Sequence, residues 1–140
     1  MNTDTTIEPQ NKSAEQAAII TLPLGLLGFE QTKRYMLIAD PDEAPFMWLQ
    51  MVDEPRKSFI VIQPNTFLEK YEPELSDEDV RFLGLTNPED AVVLNIVTVR
   101  GQNNATVNLK GPIVINRNTL IGKQVVPLNA TDYSVQHPLL

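Results

Sequence analysis

The chain has 140 residues, with 18 Asp or Glu against 11 Lys or Arg, and a formal net charge of −7. That length points to one domain, able to bury roughly two-thirds of its unfolded surface. The absence of cysteine excludes disulfides, thiolate metal sites and a cysteine nucleophile; the acidic balance argues against direct nucleic-acid binding, and no apolar run approaches the roughly 20 residues of a membrane span.

Residues 1–17 are polar and read as a disordered tail ahead of a domain at 18–140. The opening Met1-Asn2-Thr3-Asp4 has neither a basic start nor an apolar signal core, so a cytoplasmic protein is expected. Ile19-Ile20-Thr21-Leu22 reads as the first strand. The stretch Gly25-Leu26-Leu27-Gly28-Phe29 then reads as a loop tucked into the core. Its GxxG spacing is shared with RNA-clamping loops, but such loops need flanking basic residues, and the interior here is leucine.

Tyr35–Ala39, Phe46–Val52 and Ser58–Ile62 read as three strands separated by Pro-rich turns, the pattern of an antiparallel sheet that curls on itself. Ser76 followed by Asp77, Glu78 and Asp79 opens a short helix, which Gly84 ends. Asn87-Pro88 marks a second cap. Ala91–Arg100 is apolar on both faces and reads as a central strand. Gly101–Asn104 turns it back through Ala105–Leu109.

Ile113-Val114-Ile115 and Leu120–Val126 flank the polar turn Asn116-Arg117-Asn118-Thr119 and read as a hairpin. Pro112 stands where no ladder bond is lost, and Gly111 allows a bend beside it. Asn129–Leu140 reads as a tail carrying Tyr133, His137 and Leu139. The sum is about eight strands and one or two short helices: a mainly β, single-domain, mostly antiparallel β-barrel.

The candidate sites are sparse. Six acids and one lysine lie between Glu69 and Asp79. A solvated helix start explains them, and so does a surface facing a partner; a calcium loop does not, because the alternate spacing and the glycine are missing. His137, the single histidine, lies near the end with no Ser or Cys motif to partner it, so neither a catalytic base nor a metal site is expected. Phe46 and Trp48 fit a core, or else the pocket of a small-molecule-binding β-barrel. Asn108 and Asn116 are expected to hold turns or to make polar interface contacts. No phosphate loop or nucleophile elbow is present, so neither a cofactor nor catalysis is expected.

Several stretches in order resemble the FliW family of flagellar assembly factors over about residues 19–139. They are Gly25, Gly28 and Phe29 with Lys33-Arg34-Tyr35; Pro45-Phe46-Met47-Trp48-Leu49-Gln50; Phe59-Ile60-Val61 with Pro64; Asn108 through Pro112 to Asn116; Gly122-Lys123-Gln124; and His137-Pro138-Leu139. Family members usually carry alanine where Gly111 stands and serine where Met51 stands. The resemblance implies a compact β-barrel that is not an enzyme. It implies binding of cytoplasmic flagellin, chaperone-like, and of the RNA-binding translational regulator CsrA, with flagellin displacing CsrA so that repression of flagellin synthesis is set by partner switching. On that reading Glu72, Glu74, Asp77, Glu78 and Asp79 meet the basic regulator. Exposed apolar side chains near Leu109, Ile113 and Leu139 would hold an amphipathic flagellin helix.

Overall fold

The computed structural model of the chain describes residues 16–139. Among these residues nine strands form one twisted antiparallel sheet: β1 Gln16–Thr21, β2 Arg34–Ala39, β3 Phe46–Met51, β4 Ser58–Ile62, β5 Ala91–Val99, β6 Ala105–Val107, β7 Ile113–Asn116, β8 Gly122–Gln124 and β9 His137–Pro138. The one α-helix among the described residues, α1, spans Asp77–Leu83. The first four strands meander in order, and β5 then branches the sheet. Its first half pairs with β7 (Val93 opposite Val114), and its second half with β4 and β6 (Val97 opposite Ile60 and Val107).

The sheet curls but does not close, which corrects the expected barrel. Between β1 and the β7–β8 hairpin there is only an isolated bridge, Thr21 to Ile121, where the Thr21 N–H donates to the Leu120 carbonyl at 3.0 Å. The first strand starts earlier than expected. Gln16 and Ala17 belong to it rather than to a tail, and residues 1–15 of the expected tail lie outside the described residues. The C-terminal stretch is not a tail either, since His137–Pro138 adds a short strand beside β6.

Alternation along the strands separates two faces. Tyr35, Leu49, Met51, Val61, Leu94, Ile113 and Ile115 point inward with Ile20, Leu22 and Leu26. The outer face of β5 is apolar as well, and it carries two further clusters. Ala91 and Val93 lie with Leu83, Val114 and Val125 beneath α1. Val97 lies with Ile62, Val107 and Leu109, covered by Phe67, Leu68, Tyr71, Tyr133 and Leu139. This explains why β5 reads as apolar on both sides. Between the two outer clusters stands Asn95, fully buried. Its amide donates to Tyr71 Oη at 3.2 Å and to the Asn108 carbonyl at 2.9 Å.

The signals for α1 work as expected. Ser76 Oγ accepts the Asp79 N–H at 3.1 Å, and Gly84 closes the helix in the left-handed region at φ 66°. Asn116 then pins that end of the helix to the β7–β8 turn. Its amide donates to the Leu83 carbonyl at 2.8 Å, while its oxygen accepts the Asn118 N–H at 2.8 Å. Asn108 does similar work upstream, accepting the amides of Lys110 and Gly111 at 2.9 and 3.0 Å.

Candidate functional site

The acidic segment is a built surface rather than a loose loop. Glu72, Glu74, Asp77 and Glu78 are exposed along a strip that runs into α1. The strip is tied to the C-terminal arm, with Asn129 making two of the bonds. Asn129 Oδ1 accepts the Glu74 N–H at 2.9 Å, and Asn129 Nδ2 donates to the Glu72 carbonyl at 3.0 Å. The Leu128 N–H adds a bond to the Glu74 carbonyl at 2.8 Å, and the Glu72 N–H reaches Tyr133 Oη at 3.3 Å. Tyr133 packs edge-on against Tyr71, with ring centroids 4.8 Å apart. Tyr71 Oη donates to the Leu109 carbonyl at 2.6 Å. Burial pushes its phenol up to about 12, although the Asn95 amide pulls the other way.

The arm brings apolar side chains to the acids. Val126 and Leu128 are 75% and 68% exposed and flank the buried Pro127, so the arm offers two bare side chains beside Glu74. Next to them a groove of about 390 Å³ runs between α1 and the start of β5, lined by Leu75, Val80, Leu85, Pro88 and Val93. An apolar centre with an acidic rim has the anatomy of a protein-binding surface for a basic partner.

Three expected site residues need correction. Asp79 does not belong to the exposed field. It is 5% exposed and forms an ion pair with Lys123, whose ammonium also lies over the Phe82 ring, 5.4 Å from the centroid. Helix spacing accounts for this: Asp79 falls on the side of α1 that faces β8, while Asp77 and Glu78 face water. Leu109 and Ile113 are not exposed. At 3% and 0% exposure they belong to the outer and inner cores, because the chain covers both faces of this part of the sheet. Leu139 is half-buried and packs on the same outer cluster as Leu109.

Two of the motif stretches of the resemblance meet at Gln124. Gln124 Oε1 accepts the Leu27 N–H at 2.8 Å and Gln124 Nε2 donates to the Gly111 carbonyl at 3.1 Å, joining the Gly25–Phe29 loop to the Pro112 segment. At Gly25 (φ 69°) a Cβ would come within 2.6 Å of Glu30 Cα, so only glycine fits. At Gly122 a Cβ would meet Ile115 and Leu22 at 2.9 Å, so the glycine there keeps β8 close to the inner core. Phe29 stacks edge-on against Phe59 at 5.2 Å. Leu49 is fully buried in the inner core. Gln50 pairs with Met36 and Ser58 in mid-sheet.

His137 lies in β9 near the Phe67 ring, with centroids 6.1 Å apart. Among the described residues no group of three or more acidic or histidine side chains is placed to hold a metal, and no helix is long and apolar enough to cross a membrane. Phe46 and Trp48 do not line an interior cavity, as the small-molecule reading requires. They project from the outer face, where Trp48 Nε1 donates to Glu43 Oε1 at 3.0 Å.

The family model described as FliW protein matches residues 4–139. The flagellar assembly factor FliW of Natranaerobius thermophilus is 45% identical over 123 residues, 86% of this chain and 81% of that protein. That of Leptospira biflexa is 44% identical over 110 residues, 77% of this chain and 72% of the relative. A crystal structure of the flagellar assembly factor FliW superposes with a TM-score of 0.78 at 34% identity, covering 87% of this chain and 85% of the other. With the family model matching nearly the whole chain and relatives 45% and 44% identical over most of it, this chain belongs to the FliW family.

Proposed function

We propose that this protein is a flagellar assembly factor that works by binding in the cytoplasm, not by catalysis, with flagellin and the RNA-binding regulator CsrA as its alternative partners. The observation that carries the reading is the acidic strip Glu72, Glu74, Asp77 and Glu78, held in place by Asn129 beside the bare side chains of Val126 and Leu128. A regulator that holds RNA must be basic. A rigid acidic surface steers such a protein to itself and repels phosphates once it is seated. An amphipathic flagellin helix would use the apolar part of the same surface, Val126, Leu128 and the groove along α1. The two partners then overlap, and exchange follows from mass action.

Calorimetric titration with CsrA and with flagellin from the same organism tests this. Glu74→Lys, Asp77→Lys and Glu78→Lys together should weaken CsrA at least about tenfold and flatten its salt dependence. Val126→Ser with Leu128→Ser should weaken flagellin, and each partner should displace the other. Unchanged CsrA affinity and salt dependence after the triple charge reversal would sink the assignment of the strip. Simultaneous binding of both partners would sink the shared surface.

A further inference from the structure

The outer face of the sheet holds a second surface, distinct from the acidic strip. Phe46 and Trp48 on β3, Ile60 on β4, Val97 and Val99 on β5 and Ala105 on β6 line an open groove of about 330 Å³. Their registry is direct: Trp48 stands opposite Ile60, Ile60 opposite Val97, and Val99 opposite Ala105. The groove continues the outer apolar strip that the chain covers with Phe67, Leu68, Tyr133 and Leu139. The cover stops short of these residues, leaving Val99 58% and Phe46 37% exposed.

We propose that this groove is a docking site for an amphipathic helix of a partner protein, apolar on the face that enters and basic on the flank. Two observations choose that occupant. The first is size. Four neighbouring strands span about 14 Å, and a helix with its side chains is about 10–12 Å across. The second is charge. The loop between β2 and β3 places Glu43 on the groove wall, with Asp42 beside it and Asp40 lining the adjoining cleft that shares Phe46. Among the described residues none of the three forms an ion pair. A second copy of this chain would bring the same acids against these, whereas a lysine or arginine meets them favourably. The seat is also stiff at its centre, because Trp48 is fixed by its bond to Glu43.

Trp48 is the only tryptophan, so its fluorescence reads this groove directly. The full chain is titrated with a synthetic helix-forming peptide carrying leucines on one face and lysines on the other. A scrambled peptide and a version with glutamate for lysine serve as comparisons. The expected result is a saturable blue shift with the lysine peptide, weakened at least about tenfold by Val99→Ser and by Phe46→Ser. The glutamate peptide should bind at least about tenfold more weakly. Val99 is largely exposed, so Val99→Ser keeps the fold if Phe46→Ser does not, and circular dichroism checks both. No shift, an equal shift with the scrambled peptide, or a shift indifferent to Val99→Ser overturns the proposal. So does a blue shift that rises with protein concentration alone, which would make the occupant a second copy. Charge reversal at Glu74, Asp77 and Glu78 should leave the Trp48 response unchanged, so this site and the acidic strip fail separately.

Discussion

Replacing Asn129 by alanine removes three hydrogen bonds, two that tie the acidic strip to the C-terminal arm and one within the arm. Two are short, from the Glu74 N–H at 2.9 Å and to the Glu72 carbonyl at 3.0 Å; the third, to Tyr133 Oη, is 3.3 Å. A typical internal hydrogen bond contributes about 0.5–1.5 kcal/mol net. Glu72 and Glu74 are exposed, so water can take over the freed backbone groups, which puts each loss at the low end of that range. The sum is about 1–2 kcal/mol, or a fall in melting temperature of roughly 3–8 °C for a domain of this size. Urea unfolding reads the first quantity, and amide exchange at Glu74 reads the local effect. That amide should exchange faster by more than global destabilisation explains, and CsrA should bind more weakly although every acid is still present. Asn129→Asp should restore only part of the effect at neutral pH: its carboxylate still accepts the Glu74 N–H but faces the Glu72 carbonyl with no donor. A variant with wild-type unfolding and an unchanged Glu74 amide would refute the idea that Asn129 shapes the strip.

Other outcomes follow from the same contacts. Asp79→Ala and Lys123→Ala should each cost about 2–3 kcal/mol, less than a fully buried pair because Lys123 keeps an outlet to water; the double variant should lose less than the sum, as a double-mutant cycle in urea would read. Asn116→Ala should cost about 3 kcal/mol, because it strips the buried Leu83 carbonyl and the Asn118 amide of partners, and it should loosen the end of α1 in amide exchange. Tyr71 loses its proton less readily in the fold than in the unfolded chain. Its contribution to stability is therefore complete below the ordinary tyrosine range, near pH 10, and is lost as pH rises towards about 12. Tyr71→Phe should flatten that alkaline limb in denaturant titrations, and a limb of unchanged slope would assign it elsewhere.

Much of the architecture was legible because short-range signals carry it. The Ser76 cap, the Gly84 stop and the strands bounded by Pro-rich turns depend on neighbours a few residues away. Double-sided apolarity marked β5 as central, although not what covered each face. The errors concern distant partners. Asp79 looks like Asp77 and Glu78 until Lys123, 44 residues on, is placed beside it. Leu109 and Ile113 were expected beside an exposed apolar surface on the strength of the resemblance, and here segments from elsewhere in the chain cover both faces. Closure was expected because open edges are hazardous, but the long-range pairing of β1 with β8 is reduced to a single bridge. Asn129 was passed over as tail, since nothing in Asn-Ala-Thr indicates that its amide spans to Glu72 and Glu74. The exposed outer groove was equally hidden, because Phe46 and Trp48 read as core or pocket until the strand registry is known.

The central place of β5 has a consequence for synthesis on the ribosome. Strands β1 to β4 leave the exit tunnel first, as a meander whose last strand, Ser58–Ile62, is apolar on both faces. Its open edge has no partner until residues 95–97 of β5 have been made. The wait covers the whole acidic segment, so the nascent sheet is accompanied by a run of negative charge while its sticky edge is bare. That charge discourages association of neighbouring nascent chains during the interval. The residues proposed above to face a partner would thus already have protected the chain that carries them.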